Sequence, residues 1–155
     1  MKKIILFLTI IFLFTGCEKL LNTPTKQVEA LFNKYQTVDT DIQKEINEYL
    51  ANEELTEEER KRYYKVIENQ YKNLVYDIKE EEINGDEAVV TTEIEVLDYK
   101  TASETNQTNA SKLEALEKTK EKVKYTLYIN VLKENGNWKV NYLTTADRKK
   151  IQGMY

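Results

Sequence analysis

The chain has 155 residues, with 23 Lys plus Arg against 27 Asp plus Glu, a formal charge of −4, one Cys, one Pro, four Gly and no His. Without an imidazole, every catalytic triad, zinc site or general-base mechanism that needs histidine is excluded. A lone thiol forms no internal disulfide.

Lys2 and Lys3 precede an apolar run from Ile4 to Phe14 in which only Thr9 is polar. That run is too short for a transmembrane helix, which needs roughly 20 apolar residues, and fits a secretory segment of about 7 to 15 behind a basic start. Phe14-Thr15-Gly16-Cys17 follows, and the small residues just before the only cysteine resemble the bacterial lipobox. Phe14 stands where that family usually has Leu. The resemblance implies a signal peptide over 1–16, a diacylglyceryl group on the Cys17 sulfur, and a lipidated tether over 17–23. Two acyl chains at about 0.8 kcal/mol per buried methylene anchor stably where one would be marginal. Cys17 is then a tether and not a nucleophile. The expected location is the outer face of the cytoplasmic membrane.

Removing residues 1–16 takes away two lysines and no acid, so the net charge falls from −4 to −6. An acidic surface is a poor partner for phosphate backbones, and nucleic acid is not an expected ligand. The remaining residues suit a single domain over 24–155.

Thr23-Pro24 reads as an N-cap with proline at the first helical position. Val28, Leu31, Phe32 and Tyr35 then fall on one face of a helix, and Ile42, Ile46, Tyr49 and Leu50 repeat the spacing in a second helix ending near Ala51-Asn52. Thr56 with Glu59 is a capping box opening a third helix, whose apolar stripe is Tyr63, Val66, Ile67, Tyr71 and Leu74. Its other face, with Arg60, Lys61, Lys65, Glu68 and Lys72, is a solvated charge run.

From Leu74 the period changes to two. Leu74, Tyr76 and Ile78, a turn at Asn84-Gly85-Asp86, and Ala88, Val90, Thr92, Ile94 and Val96 predict an antiparallel hairpin with one face on a core. Thr101 to Ala110 is polar and aperiodic and reads as a loop. Ser111 with Glu114 reads as another capping box before Leu113 and Leu116. A second hairpin has Val123, Tyr125, Leu127, Ile129 and Val131, a turn at Glu134 to Asn137, and Trp138, Val140 and Tyr142. Thr144 to Asp147 caps a last helical turn, with Ile151 facing in and Gly153 as its stop. The fold class is α+β, with N-terminal helices packed on a curved four-stranded antiparallel sheet.

This order of elements is similar to the cone-shaped nuclear transport factor 2-like fold. The stretch from Thr23 to Gln36, with Tyr76-Asp77-Ile78, Ala88-Val89-Val90, Ile94-Glu95-Val96, Gly136-Asn137-Trp138-Lys139-Val140 and Lys150-Ile151-Gln152-Gly153, resembles small lipoproteins of unknown function from low-GC Gram-positive bacteria. The resemblance implies the fold and no chemistry, because function belongs to sites and not to folds. Some members of the wider fold are isomerases or dehydratases with an Asp base and Tyr or His partners, which would single out Asp77 or Asp98 here. The lack of histidine argues for a noncatalytic domain.

The eleven Tyr are the most unusual count. One reading has Tyr35, Tyr63, Tyr71, Tyr76, Tyr125 and Tyr142 filling a small core with hydroxyls at its edge; the other has Tyr35, Tyr71, Tyr125 and Trp138 lining an open cone that binds a small apolar or glycan-like ligand. The acidic runs Glu57-Glu58-Glu59 and Glu80-Glu81-Glu82 lack the spacing and glycine of a calcium loop, so neither a metal nor a cofactor is expected. The favoured function is a lipid-anchored interaction or accessory module at the cell envelope with an envelope protein as partner, and the alternative is a small-ligand binding protein.

Overall fold

A computed structural model describes residues 22–104 and 108–155. The expected signal peptide, the expected tether before Asn22 and Cys17, the expected site of lipid attachment, lie outside the described residues. Within them the architecture is α+β, with six helices and one antiparallel sheet in the order β1-β2-β3-β4.

Helix α1 (Pro24–Thr37) starts where Thr23 accepts the backbone N–H of Lys26, and its face of Val28, Phe32 and Tyr35 is buried. It ends at Val38, which holds a left-handed φ of 48°. A β-branched residue is strained there, and Val38 is kept in place by its own burial and by the Gln43 amide that donates to its carbonyl at 2.9 Å. Helix α2 (Thr40–Ala51) is capped by Asp39 and buries Ile42, Ile46 and Leu50. Helix α3 (Glu57–Lys72) opens with the Thr56/Glu59 capping box and buries Val66, Gln70 and Tyr71.

Strands β1 (Val75–Asn84) and β2 (Glu87–Leu97) form the first hairpin, β3 (Lys122–Glu134) and β4 (Asn137–Val140) the second. The second turn has Asn135 and Gly136 both at positive φ, 51° and 83°, as a two-residue turn matching strand twist requires. Ala88, Val90, Thr92, Ile94 and Val96 of β2 and Leu127, Ile129 and Val131 of β3 form the floor of the core. Helix α1 lies across it and touches all four strands. The Thr92 hydroxyl in this floor has no hydrogen-bond partner among the described residues, and an unpaired buried group costs stability.

The opposite sheet face carries cross-strand ion pairs. Lys79 and Lys124 flank Glu93 at 3.8 and 3.1 Å, and Lys122 meets Glu95 at 2.8 Å. Exposed pairs of this kind contribute little each, so this face reads as solvated.

The alternation read for Leu74, Tyr76 and Ile78 holds as far as Ile78, and a bulge follows between Ile78 and Glu80. An extra residue there swaps the faces, and Glu81 comes to accept both the backbone N–H (2.8 Å) and the hydroxyl (2.6 Å) of Thr25 in the first turn of α1. A carboxylate is favoured at that end of a helix, so this acid has a structural use beyond solubility. Residues Thr101 to Glu104, read as loop, belong to helix α4 (Tyr99–Glu104), because Asp98 Oδ1 accepts the Thr101 N–H at 3.0 Å and the Tyr99 hydroxyl donates to the Val66 carbonyl at 3.0 Å. Residues 105–107 of that loop lie outside the described set. Helix α5 (Asn109–Lys118) opens on a Thr108/Ser111 box instead of Ser111/Glu114. In addition, β4 stops at Val140, and Tyr142 is 62% exposed instead of core-facing.

Helices α4 and α5 cover a smaller core of Val66, Leu97, Tyr99, Leu113 and Leu116. Helix α6 (Thr145–Ile151) carries the Thr144/Asp147 box. It closes with Gly153 N–H donating to Lys150 and Met154 N–H to Lys149, the paired bonds of a glycine-terminated helix.

Candidate functional site

The four rings singled out as pocket residues are not gathered round one space. Tyr35 and Tyr71 meet edge-on, centroids 5.0 Å apart, deep in the main core. Tyr125 packs edge-on against Tyr155 at 5.9 Å and its hydroxyl donates to the Tyr155 carbonyl at 3.2 Å. Trp138 lies across from Lys133 on β3 and donates its backbone N–H to Asn22 Oδ1 at 2.5 Å. Tyr125 stands eight residues before Lys133 on that strand, about 26 Å away at the usual rise. Tyr125 and Trp138 therefore belong to opposite ends of the sheet.

Burial pushes the Tyr71 hydroxyl up to about 12, opposed by the Gln152 amide that donates to its oxygen. Burial likewise pushes Tyr35 up. Both phenols are neutral core groups. Asp77 is exposed and paired with Lys79, and Asp98 caps α4, so each candidate acid already has a structural partner.

The Tyr125 end of the molecule holds a concave feature absent from the sequence reading. A cleft enclosing about 70 Å³ opens between α2, α3, α5 and the C-terminal segment, walled by Tyr49, Tyr63, Tyr99, Leu116, Gln152 and Met154. It is flanked by two larger grooves, each about as open to solvent as the cleft itself. One, of about 330 Å³, has Glu45 and Glu48 of α2 facing Arg148 and Lys149 of α6. The other, of about 310 Å³, runs past Glu53, Glu54, Leu55 and Lys112. Tyr49 borders all three and is 50% exposed. Its spacing on the α2 stripe marked it as core; it lies instead where that helix ends and the grooves begin.

The back wall of the cleft is a buried polar junction. The Gln70 amide nitrogen donates to the Leu97 carbonyl at 2.8 Å, and its oxygen accepts the Leu97 N–H at 2.9 Å. Strand β1 begins at Val75 opposite Glu95, so on that edge of β2 the side chain of Gln70 pairs with Leu97 where β1 does not reach, while Lys122 of β3 lies opposite Leu97 on the other edge. Gly153 packs against the same atoms, and its carbonyl accepts the Lys100 N–H at 2.8 Å. Gln70 sits three and four residues from Ile67, Val66 and Leu74, so a polar residue on the apolar stripe was a readable signal.

Among the described residues no group of three His, Cys, Asp or Glu is placed to hold a metal ion, and no helix is long and apolar enough to cross a membrane. No protein-family model, no curated protein and no solved structure matches the chain. The geometry alone carries the functional argument.

Proposed function

We propose that the chain is a noncatalytic interaction module of the cell envelope, anchored by lipid at Cys17, with a domain of the nuclear transport factor 2-like cone type. Three helices, a hairpin, a helical insertion, a second hairpin and a closing helix follow one another in that order, and α1 lies along the sheet in the manner of a cone's central helix. The observation that carries the functional reading is a filled interior. Phe32 stacks on Tyr76 at 4.7 Å, Tyr35 meets Tyr71 edge-on, and Ile151 is fully buried. The cleft of about 70 Å³ is well short of the roughly 300 to 1,000 Å³ of small-ligand pockets, and the two adjoining grooves of about 330 and 310 Å³ reach only the lower edge of that range. Exposed Tyr49 and Met154 beside it supply apolar area of the kind that marks contact surfaces.

Asn22 and this surface lie toward opposite ends of the sheet. Asn22, where the described chain begins, is bonded to Trp138 at the hairpin-tip end of the sheet. Leu97 ends β2 at the cleft, on the order of 30 Å away at the usual strand rise. An anchor that precedes Asn22 would leave the cleft at the far end of the sheet from that residue.

The test is metabolic labelling with an alkynyl fatty acid in a Gram-positive host, followed by membrane fractionation. The expected result is label and membrane association in the unaltered chain and loss of both in Cys17→Ala. A Cys17→Ala chain that stays labelled and membrane-bound would remove the anchor from the account.

A further inference from the structure

We infer that the groove beside Tyr49 takes a cationic protein segment with an apolar anchor, an arginine or lysine side chain of the partner lying between the carboxylates of Glu53 and Glu54 and the rings of Tyr49 and Tyr63. This inference rests on the reading of the domain as an interaction module and names the chemistry of its partner.

The wall formed by α2 and its link to α3 is one-sided in charge. Residues 45–59 hold seven glutamates and no lysine or arginine. Four of these acids have partners: Glu45 pairs with Arg148 at 3.4 Å, Glu48 with Lys44 at 3.7 Å, Glu57 with Arg60 at 3.8 Å, and Glu59 closes the α3 capping box. Glu53 and Glu54 line the groove of about 310 Å³ together with Tyr49, Tyr63 and Met154. Their carboxylates have no hydrogen bond or ion pair with the described residues. Lys112 of α5 also borders the groove, so its charge is mixed at one edge and acidic along the α2 side.

The rings and the acids act on the same space. After burial, the Glu53 carboxylate is the next cause that raises the Tyr49 hydroxyl, and it also contributes at Tyr63. A cation set against two carboxylates and the faces of two phenols gains charge-assisted hydrogen bonds and ring attraction together. The adjoining cleft of about 70 Å³, with its mostly apolar walls, has room for a methyl or isopropyl group from the same segment and not for a separate ligand. The groove is open to solvent, which suits an extended chain entering from outside.

The test titrates the full chain in dodecyl maltoside with three synthetic peptides, acetyl-Arg-Leu-Arg-Leu-Arg-amide, its Glu-for-Arg counterpart and neutral acetyl-Ser-Leu-Ser-Leu-Ser-amide, reading amide chemical shifts. The cationic peptide is expected to shift Tyr49, Glu53, Glu54, Tyr63 and Met154. The acidic peptide is expected to shift none of them. Glu53→Gln with Glu54→Gln is expected to weaken the cationic peptide at least about tenfold, and Glu80→Gln with Glu82→Gln on the distant hairpin to leave it unchanged. Equal binding by both variants, or shifts spread evenly over all acidic surfaces, would overturn the inference. Binding of the neutral peptide at the groove with no preference for the cationic one would overturn the partner chemistry while leaving the interaction surface standing. Failure of all three peptides would count against both.

Discussion

Gly153→Ala is expected to destabilise the domain by about 3 kcal/mol or more, the range of a severe steric substitution. Gly153 has a φ of 68°, in the region where a side chain is strained. A Cβ built there would stand 2.0 Å from the Leu97 carbonyl oxygen and 2.3 Å from Gln70 Nε2. Neither neighbour yields cheaply, since Leu97 ends a central strand and Gln70 is held by two hydrogen bonds to it. Gly85, with φ 63° and open space around a Cβ, is the control: Gly85→Ala carries the backbone strain alone and is expected to cost about 1 kcal/mol. Urea unfolding of both variants is the check. Equal losses would mean that the junction at Leu97 accommodates a methyl group.

The second large effect is expected at Gln70. Gln70→Leu fits the stripe of α3 by size but leaves the Leu97 N–H and carbonyl buried without partners, at about 1 to 3 kcal/mol each, partly offset by the added apolar burial. A net loss of about 2 to 4 kcal/mol follows. Gln70→Glu keeps an acceptor for the Leu97 N–H and sets its second oxygen against the Leu97 carbonyl, so its loss is expected to be small where the buried acid is protonated and its O–H donates to that carbonyl, and to grow as rising pH ionises it. A stable Gln70→Leu variant with the native midpoint would show that water or another group replaces the amide. Both substitutions also loosen the back wall of the cleft, so each is expected to blur the Tyr49 surface as it lowers stability.

Local chemistry explains which parts of this were legible in the sequence. Thr23-Pro24, Thr56 with Glu59, Thr144 with Asp147 and Asn135-Gly136 each specify a cap or turn within a few residues, and all four form as read. The alternations of β2 and β3 place their faces correctly because both strands are central and buried on one side. The bulge at Lys79 was hidden because β1 is an edge strand and its Lys79-Glu80-Glu81-Glu82 run has no apolar residue to mark a face. Helix α4 was hidden because it is fixed from outside: the Tyr99 hydroxyl reaches α3, and the Lys100 N–H reaches the carbonyl of Gly153.

The candidate site was legible only in part for a related reason. Tyr35 and Tyr71 share a contact because two amphipathic stripes face each other, which spacing indicates. The separation of Tyr125 from Trp138 depends on strand register and on a β4 of four residues. The exposure of Tyr49 depends on where α2 ends against α6 and the C-terminal segment. Spacing along the chain carries neither.

The central claim is that the outward Tyr49 surface, and not the interior, makes this protein's functional contact. Its most direct test places a photo-crosslinking phenylalanine at position 49, with position 128 on the opposite sheet face as control, in the full chain expressed in a Gram-positive host. The account expects light-dependent protein adducts from position 49, few from position 128, and loss of the former when Glu53 and Glu54 are both changed to Gln. Adducts that form equally from both positions, or no protein adduct from position 49 together with a small molecule retained by the purified domain, would contradict it.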